Sequence, residues 1–484
     1  MHRSPVVAIL GHVDHGKTTL LDYIRHSTLT SKEYGGITQK IGGYEIDSPI
    51  SGYPVKKITF IDTPGHEAFS QLRVRGANVA DVAVLLIDGK DAVMPQTIES
   101  ISHIKAAKIP FIVAVNKIDL PGSTPDKVAR DLLKYDVAVE GQGGHVPLVK
   151  ISAKTGTGVR ELLETILLLA SDMNLKWDKS NRLRAYIIET KKDRRGVVVS
   201  AVVKDGELRV GDPVYCEQKK IKIRSLIDDQ GRSIQSAVPA QPVEILGFDA
   251  LPEVGTMITD QLGAAPAQKT EAAAPPAPFG IETILQASVS NQEKKLSLIV
   301  KTDSQGSLDA INQMLKQNAR INFVLQAVGN IHKSDVFLAK TTGSIVIGFN
   351  IKPDPEVKQI AKQEKVIIKT YNIVYELIDE LNEVADLLQE KATKEKNLKG
   401  EAKVVAQFMI EGEKVVGVKV NKGKLDLGDE LEVYRSDQAI GKAKLVSLKI
   451  RAKKVKEVKK NQECGMILST ALDIRTNDVI KCIL

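Results

Sequence analysis

The fold of this 484-residue chain is decided by residues 6–18, which read Val6-Val7-Ala8-Ile9-Leu10-Gly11-His12-Val13-Asp14-His15-Gly16-Lys17-Thr18. A buried-strand pattern leads directly into a glycine-rich loop, and a helical pattern begins at Lys17. This order predicts a phosphate-binding loop, because glycines let the backbone wrap around phosphates that N–H groups and the helix N-terminus attract. Lys17 would reach the β- and γ-phosphates, and the Thr18 hydroxyl suits Mg²⁺. A glycine-rich turn without a ligand is the alternative, which the position between strand and helix disfavours.

Apolar runs of strand length alternate with helical patterns over residues 5–170. The strand patterns are Val6–Leu10, Lys57–Ile61, Val82–Ile87, Phe111–Val115 and Leu148–Ile151, and the helical patterns include Lys17–Arg25, Thr97–Ala107 and Val159–Leu169. This alternation predicts a mostly parallel sheet with helices on both faces. Ligands of such sheets bind at the carboxyl ends of the strands. Polar residues that directly follow the strands are therefore the candidates for a site.

The second of these strands is followed by Asp62, Thr63, Pro64, Gly65 and His66. Asp62 can hold Mg²⁺ through water, and the Gly65 N–H can approach a γ-phosphate because no side chain blocks it. His66 is the candidate catalytic residue, since it follows at the point where a water attacking this phosphate could be oriented. A surface histidine beside a turn is the alternative, and the site residues around it count against that interpretation.

Two later strands are followed by segments that fit guanine recognition, Asn116-Lys117-Ile118-Asp119 and Ser152-Ala153-Lys154. The Asp119 carboxylate would pair with two neighbouring N–H groups of guanine, a donor set that adenine lacks. Asn116 can brace the loop, the Lys117 stem can pack against the base, and backbone N–H groups of 152–154 can reach the guanine O6. Each segment alone is a weak signal. All four segments in this order, each after a predicted strand, predict a guanine-nucleotide site for GTP and GDP.

A loop between the first helix and the second strand contains Gly35-Gly36-Ile37-Thr38-Gln39. Thr38 could complete the Mg²⁺ shell when the γ-phosphate is present, which makes this loop a candidate order–disorder switch. No arginine stands out as an internal finger, a group that contributes roughly 10³–10⁵ in rate. The chain is therefore expected to hydrolyse GTP slowly alone and faster with a partner.

Beyond residue 172 the patterns predict further domains. Residues 182–260 hold the β-rich runs Val197–Val203, Pro213–Cys216 and Ile221–Ile227, which glycine turns separate as in a small antiparallel barrel. An Ala/Pro-rich stretch then predicts a linker. Strand and helix patterns return over 296–371: strands at Leu296–Lys301, Ile321–Val328, Ile345–Phe349 and Val366–Lys369, and helices after Ser307 and from Asp354.

An apolar face with spacings of three and four runs from Ile373 to about Lys391 and predicts a long helix. The β-rich residues 401–484 predict a second barrel, with turn signals at Lys422-Gly423 and Gly428-Asp429. The expected class is multidomain α/β and β. Its domains are a P-loop GTPase domain at 1–172, a β-barrel at 182–262, a Pro/Ala-rich linker at 263–280, an α/β domain at 281–372, a linking helix at 373–399 and a C-terminal β-barrel at 400–484.

Composition is ordinary for a globular protein, with 43% hydrophobic and 26% charged residues and a net charge of +8. No apolar run nears the ~18 residues that span a bilayer, so a cytoplasmic protein without membrane contact is expected. Cys216, Cys464 and Cys482 lack metal spacing and are expected to be buried free thiols. Nine basic residues and one acidic residue fall in Lys442–Lys460. They suit an RNA partner or, slightly better on charge alone, a strand edge that lysines protect from aggregation.

Together these motifs resemble the translational GTPases and, within them, the bacterial-type translation initiation factor 2 family. The form of residues 35–39 is similar to that family's switch, where elongation factors usually begin with arginine. Similar stretches continue along the chain at Pro242–Gly247, Leu298–Ser307, Ile347–Asn350 and Glu463–Gly465. The resemblance covers essentially the whole chain, and the stretches in the third domain are quite specific to this family.

The resemblance implies a GTPase that binds formylmethionyl initiator tRNA and brings it to the small ribosomal subunit. Such factors then promote joining of the large subunit, which stimulates GTP hydrolysis. Other initiation factors are possible partners, and a monomer is expected. The third domain and the long helix would link the nucleotide site to a C-terminal barrel that binds the tRNA. The alternatives are another ribosome-associated GTPase, such as an elongation factor, and an RNA-binding module that holds GTP as a structural ligand.

Three features depart from the family's pattern. The chain begins at the predicted GTPase domain, whereas many members carry a long N-terminal extension; a compact natural form and a truncated chain both fit. The linker is Pro/Ala-rich where the family usually shows a charged helical segment, so looser coupling of the second and third domains is expected. In the last domain, Gly417-Val418 and Arg451–Lys454 differ from the usual sequences, and the chain stops soon after Asp478-Val479-Ile480. No formylmethionine-pocket residue is assigned.

Overall fold

A computed structural model describes residues 1–25, 42–64, 67–262, 295–316, 318–396, 398–410, 413–435, 438–451, 453–470 and 472–483. The chain divides into two compact units, one of Met1–Gly280 with Ser297–Glu380 and one of Ile281–Leu296 with Leu381–Leu484. The predicted linker at 263–280 and the predicted switch at 35–39 lie outside the described residues.

The first α/β region, up to residue 172, builds its sheet in the strand order β2-β3-β1-β4-β5-β6. Only β2 runs antiparallel to its neighbour in these pairs; the others are parallel. The strands are β1 (Val6–Gly11), β2 (Gly42–Asp47), β3 (Lys57–Asp62), β4 (Val82–Asp88), β5 (Phe111–Asn116) and β6 (Leu148–Lys150). A short 3₁₀ helix at Glu67–Phe69 precedes α2, and the α-helices are α1 (Lys17–Arg25), α2 (Ser70–Val79), α3 (Pro95–Ala107), α4 (Pro125–Leu133) and α5 (Val159–Asp172).

Alternate residues of β1 enter two different cores, as the period of a strand requires. Val7 and Ile9 pack with apolar residues of α1 and α5. Ala8 and Leu10 pack with apolar residues of α3 and α4. This two-sided burial confirms the prediction of a mostly parallel sheet covered on both faces, and the predicted elements differ from the observed ones only at their ends.

A β-barrel region follows, and its main sheet has the order β11-β10-β16-β7-β8-β15-β12-β13 around an apolar core. A separate pair joins β9 to β14. The strands are β7 (Arg184–Asp193), β8 (Gly196–Asp205), β9 (Leu208–Arg209), β10 (Pro213–Cys216), β11 (Lys219–Lys222), β12 (Ser225–Asp228), β13 (Ser233–Ile234), β14 (Ser236–Ala237), β15 (Pro242–Leu246) and β16 (Met257–Thr259). The prediction of an antiparallel barrel is confirmed.

The β-rich run predicted at Ile221–Ile227 divides between two strands, because a corner separates β11 from β12. The Ile223 N–H donates to the Asp212 carbonyl at 3.1 Å, and the Arg224 N–H donates to the Leu246 carbonyl at 2.7 Å. The chain thereby leaves the β10 side of the barrel as β11 ends and joins β15 as β12 begins. An uninterrupted β-rich sequence does not show where the chain changes from one neighbouring strand to another.

The second α/β region has a sheet in the order β18-β17-β19-β20. Its strands are β17 (Leu296–Thr302), β18 (Ile321–Val328), β19 (Ile345–Phe349) and β20 (Ile368–Tyr371), and its helices are α6 (Gln305–Leu315), α7 (Lys333–Thr342) and α8 (Pro355–Gln363). The α/β class is confirmed, but α6 begins two residues before Ser307 because the Ser304 side chain caps it by accepting from the Ser307 N–H. α7 has no predicted counterpart, since Phe337 and Leu338 are exposed and blur its apolar period.

Helix α9 (Val374–Lys396) matches the predicted long helix, and the boundary between the two units falls inside it. The second unit then forms an antiparallel barrel in the order β21-β28-β23-β24-β27-β22-β26, which β21 closes by also pairing with β22. The strands are β21 (Leu398–Ile410), β22 (Glu413–Asp426), β23 (Glu430–Arg435), β24 (Gln438–Ile450), β25 (Lys453–Lys454), β26 (Glu457–Lys459), β27 (Glu463–Leu468) and β28 (Val479–Ile483). The predicted second barrel is confirmed.

The turn predicted at Lys422-Gly423 is wrong, because both residues lie inside β22. Gly423 has φ +62°, and a Cβ there would lie 2.0 Å from the Lys399 carbonyl oxygen. The glycine therefore permits a close approach of two strands instead of a reversal. The turn predicted at Gly428 is present, with φ +96°.

The three cysteines are buried free thiols, as predicted. Burial raises the pKa of Cys216 and Cys482 to about 12 and that of Cys464 to about 11, which makes all three unreactive near pH 7. Among the described residues, no helix is long and apolar enough to cross a membrane.

Candidate nucleotide site

The described residues of the four predicted site segments lie at one edge of the first sheet. They follow β1, β3, β5 and β6, and these strands are parallel, so their carboxyl ends meet on the same side. Ile9 is in register with Asp62, and Asp88 is in register with Asn116. The sequence motifs, which are up to about 140 residues apart, are thus brought to a common edge.

The loop after β1 wraps tightly, and neither Gly11 at the end of β1 nor Gly16 in the loop has room for a side chain. A Cβ on Gly11 would lie 2.3 Å from the Leu86 carbonyl oxygen, and one on Gly16 would lie 2.5 Å from the Asn116 Nδ2. The Lys17 Nζ donates to the carbonyls of Gly11 at 3.0 Å and His12 at 2.6 Å. These two bonds close the loop around the lysine.

Lys17 is buried, and this burial disfavours its charged, protonated form. Burial lowers the pKa of Lys17 to about 8, although the Asp62 carboxylate acts in the opposite direction. A phosphate group in the loop would favour the charged ammonium again. The lysine therefore fits a loop whose natural occupant is an anion.

His15 belongs to the same loop, and its side chain is buried, with only 1% of the residue's surface exposed. Burial lowers the pKa of His15 to about 4, although the nearby Leu86 carbonyl opposes the shift. The imidazole is consequently neutral at pH 7, and it packs edge-on against the His12 ring at 5.1 Å between centroids. The backbone carbonyl of His15 accepts a hydrogen bond from the Asn116 side chain at the end of β5.

The segment after β3 is anchored to its surroundings. The Thr63 Oγ1 donates to the Ile9 carbonyl at 2.7 Å, and the Arg73 Nη1 of α2 donates to the Pro64 carbonyl at 3.1 Å. Asp62 is buried, with 4% of its surface exposed. Gly65, His66 and Thr38 lie outside the described residues, so their predicted roles stay predictions.

Asn116 connects the loop after β1 to the loop after β6. Its Nδ2 donates to the His15 carbonyl at 2.7 Å, and its Oδ1 accepts from the Ala153 N–H at 2.9 Å. Asn116 is 2% exposed, so both bonds are shielded from water. This one side chain therefore fixes the spacing between the loop after β1 and the loop after β6.

The remaining residues of the segments after β5 and β6 lie around Asn116. Lys117 has φ +63°, and its Nζ pairs with the buried Asp88 carboxylate at 2.7 Å. The Ile118 N–H donates to the Ile151 carbonyl at 3.3 Å, which ties the two loops together a second time. Ser152 is buried, whereas the side chains of Asp119 and Lys154 are exposed and accessible to a ligand.

A half-buried cluster between α2 and α3, centred on the fully buried Arg73, supports the site and has no motif of its own in the sequence. Glu99 accepts from Arg73 at 2.6 Å and from Ser70, and it contacts the His103 Nε2 at 3.0 Å. Burial alone would raise the pKa of Glu99, but the bonds to His103 and Ser70 and the charge of Arg73 outweigh it and lower the pKa to about 2. Such partners come from two helices, so no local spacing could identify them.

The donor set at the sheet edge fits Mg²⁺ bound together with a phosphate. The Thr18 hydroxyl and the Asp62 carboxylate are hard oxygen donors, the type that Mg²⁺ prefers. The described residues contain no group of three or more His, Cys, Asp or Glu that could hold a metal alone. A few protein oxygens completed by phosphate and water are the usual coordination of Mg²⁺.

Comparisons with known proteins agree with this arrangement. Residues 2–172 match a family model described as "Elongation factor Tu GTP binding domain", residues 182–261 match "Elongation factor G domain 2", and residues 275–382 match "Translation-initiation factor 2". The chain is similar to proteins named translation initiation factor IF-2 from Aquifex aeolicus (41% identity) and a Geobacillus species (40% identity), in each case over 99% of its length.

The chain spans 61% of the Aquifex aeolicus protein and 67% of the Geobacillus protein. A solved structure, GDP-bound aIF5B from Aeropyrum pernix, aligns with 100% of this chain and 92% of its own, at a TM-score of 0.46 and 24% identity.

Replacing Asn116 by alanine should weaken GDP binding by about 10- to 100-fold, since each lost hydrogen bond contributes roughly 1 kcal/mol. The alanine leaves the His15 carbonyl and the Ala153 N–H without their partner, so the two halves of the site lose their fixed spacing. Titration calorimetry with GDP measures the effect. Asn181→Ala, at an exposed asparagine of the barrel region, is the matched control. Equal GDP affinities of Asn116→Ala and the unchanged chain would refute the bracing role.

Proposed function

The chain belongs to the translation initiation factor IF-2 family, and we propose that it is a GTP-hydrolysing factor of translation initiation. It binds GTP or GDP with Mg²⁺ at the carboxyl edge of the first sheet. It also binds formylmethionyl initiator tRNA, promotes its placement on the small ribosomal subunit, and promotes joining of the large subunit. In this proposal it acts in the cytoplasm as a monomer, with other initiation factors as possible partners.

The observation that carries the nucleotide part is the double hydrogen bond of Asn116. Its side chain donates to the His15 carbonyl in the loop that suits phosphates, and it accepts from Ala153 in the loop that suits a base. A ligand that fits both loops has phosphates at one end and a base at the other. A nucleotide has this composition, and the exposed Asp119 supplies the carboxylate that selects guanine.

In this proposal, each residue of the site has one role in binding or hydrolysis. Residues 11–18 enclose the β- and γ-phosphates, with Lys17 compensating their charge. Thr18, Asp62 and Thr38 hold Mg²⁺, Asp62 through water, and the ion, when bound, neutralises charge on the phosphate oxygens. The Gly65 N–H approaches the γ-phosphate, and His66 orients the attacking water. Asp119, the Lys117 stem and the N–H groups of 152–154 hold the guanine base.

The second unit carries a run of exposed basic residues that suits RNA. All nine basic residues of Lys442–Lys460 are exposed; they are Lys442, Lys444, Lys449, Arg451, Lys453, Lys454, Lys456, Lys459 and Lys460. Lys442 pairs with Glu432 at 2.6 Å and Lys459 pairs with Glu457 at 3.4 Å. Exposed ammonium and guanidinium groups attract phosphates by releasing condensed counterions. A strand edge protected by lysines would show the same exposure without RNA binding, and the salt dependence of tRNA binding separates the two.

GTP hydrolysis by the chain alone should be slow and should rise by roughly 10³-fold or more when both ribosomal subunits are added, the range typical of a catalytic group supplied by a partner. Phosphate release measured with and without subunits tests this. His66→Ala should abolish the stimulation and leave GDP affinity unchanged. Fast hydrolysis without ribosomes would contradict the proposal, and equal rates with and without them would favour an RNA-binding module that holds GTP as a structural ligand.

The full chain should bind formylmethionyl initiator tRNA more tightly than the unformylated form, and its affinity should fall as salt rises because phosphate contacts release counterions. Replacing Lys449, Lys453 and Lys454 by alanine should weaken binding and reduce the salt dependence. The control replaces Lys358 and Lys362, exposed lysines of α8, by alanine. Equal affinity for both tRNAs would remove the initiator-specific role, and a salt-independent affinity would favour the strand-edge interpretation of the basic residues.

A further inference from the structure

Helix α3 reaches the loop after β1 through a side chain outside all four motif segments. Gln96, the second residue of α3, accepts a hydrogen bond through its Oε1 from the Val13 N–H at 3.1 Å. Gln96 is half-buried. The contact joins residues 83 positions apart in sequence. The loop is therefore fastened from the outside as well as by its own Lys17.

The first turns of α3, which carry Gln96, are held in place by several contacts of their own. The helix starts with Pro95, whose fixed φ suits a first helical position. The Ser100 Oγ donates to the Gln96 carbonyl at 2.7 Å. Glu99, three residues after Gln96, binds the fully buried Arg73 at 2.6 Å. Gln96 thus projects from a backbone that is held in place.

The same helix also holds the segment after β3. Arg73, which Glu99 fixes, donates to the Pro64 carbonyl at 3.1 Å. One helix therefore fastens two loops of the site, one through Gln96 and one through Glu99 and Arg73. Displacing α3 would disturb both loops together.

The Val13 N–H points toward Gln96, which indicates that Gln96 supports the loop from outside. The Lys17 Nζ already donates to the carbonyls of Gly11 and His12, so the loop is closed around the lysine. The Val13 N–H donates to α3 instead, and the next residue, Asp14, has φ +61°. Gln96 accepts a donor that the loop turns toward the helix, so its bond supports the wrapped loop without competing for a phosphate.

We propose that Gln96 is a positioning residue of the nucleotide site, which holds the phosphate loop in its wrapped form and thereby prolongs the lifetime of bound GDP. The inference rests on the proposed nucleotide binding and deepens it, since it adds a residue that acts through the Val13 backbone and touches no nucleotide itself. Its effect is confined to the phosphate end of the ligand, because the bond fastens the phosphate loop alone.

The test measures the release of N-methylanthraniloyl-GDP from the full chain, chased with excess unlabelled GDP. Gln96→Met keeps the side-chain length and removes the acceptor, and Gln96→Ala removes the whole contact. Both should release the analogue about 2- to 10-fold faster, the ratio that one net hydrogen bond carries. Gln71→Met, at an exposed glutamine of α2, is the matched control and should release it at the unchanged rate.

A second readout separates positioning from general support of the fold. GMP lacks the β-phosphate that the loop encloses, so its affinity, measured by displacement of the labelled GDP, should be the same in Gln96→Met and the unchanged chain. An equal loss for GMP and GDP would overturn the inference, as would unchanged or slower release from both variants. Failure of the unchanged chain to bind GDP at all would overturn the proposed function together with the inference.

Discussion

The site depends on one buried amide, the side chain of Asn116. It donates to the loop after β1 and accepts from the loop after β6, with less than 3 Å to each partner. Gly16 is part of the same constraint, because any Cβ there would occupy the space of the Asn116 Nδ2. A small loop residue after β1 and a buried asparagine at the end of β5, two strands away in the sheet, therefore form a matched pair, and neither could change alone without moving the loop.

The parallel sheet makes this pairing possible. Since β1, β3, β5 and β6 run in one direction, their ends deliver polar residues to one edge while their apolar residues fill cores on both faces. Support then comes from the helices behind that edge. Arg73 of α2 is fully buried and pairs with the half-buried Glu99 of α3 at 2.6 Å; the Glu99 carboxylate also accepts from Ser70 and contacts His103, which offsets the desolvation of the pair. The motif loops thus rest on a framework that belongs to no motif.

The parts of this arrangement that a local sequence pattern determines can be predicted from the sequence. β1 and α1 follow from an apolar run and a helical period, and the motif residues follow from their places after strands. The contacts of Gln96 and Glu99 could not be predicted, because their partners are distant in sequence and meet them only through packing. The corner at Ile223 and the strand approach at Gly423 were also missed, since both arise from neighbouring strands. Helix α7 was not predicted for a related reason. Phe337 and Leu338 are apolar but exposed, so the apolar residues of this stretch do not mark its buried face.

The central claim is that the edge of the first sheet is a guanine-nucleotide site. Titration calorimetry of the full chain with GDP and with ADP, both with Mg²⁺, tests it most directly. The account predicts that GDP binds more tightly by roughly 10²-fold or more, because the Asp119 carboxylate finds its paired donors only on guanine. Equal affinities for the two nucleotides, or no binding of GDP, would contradict it.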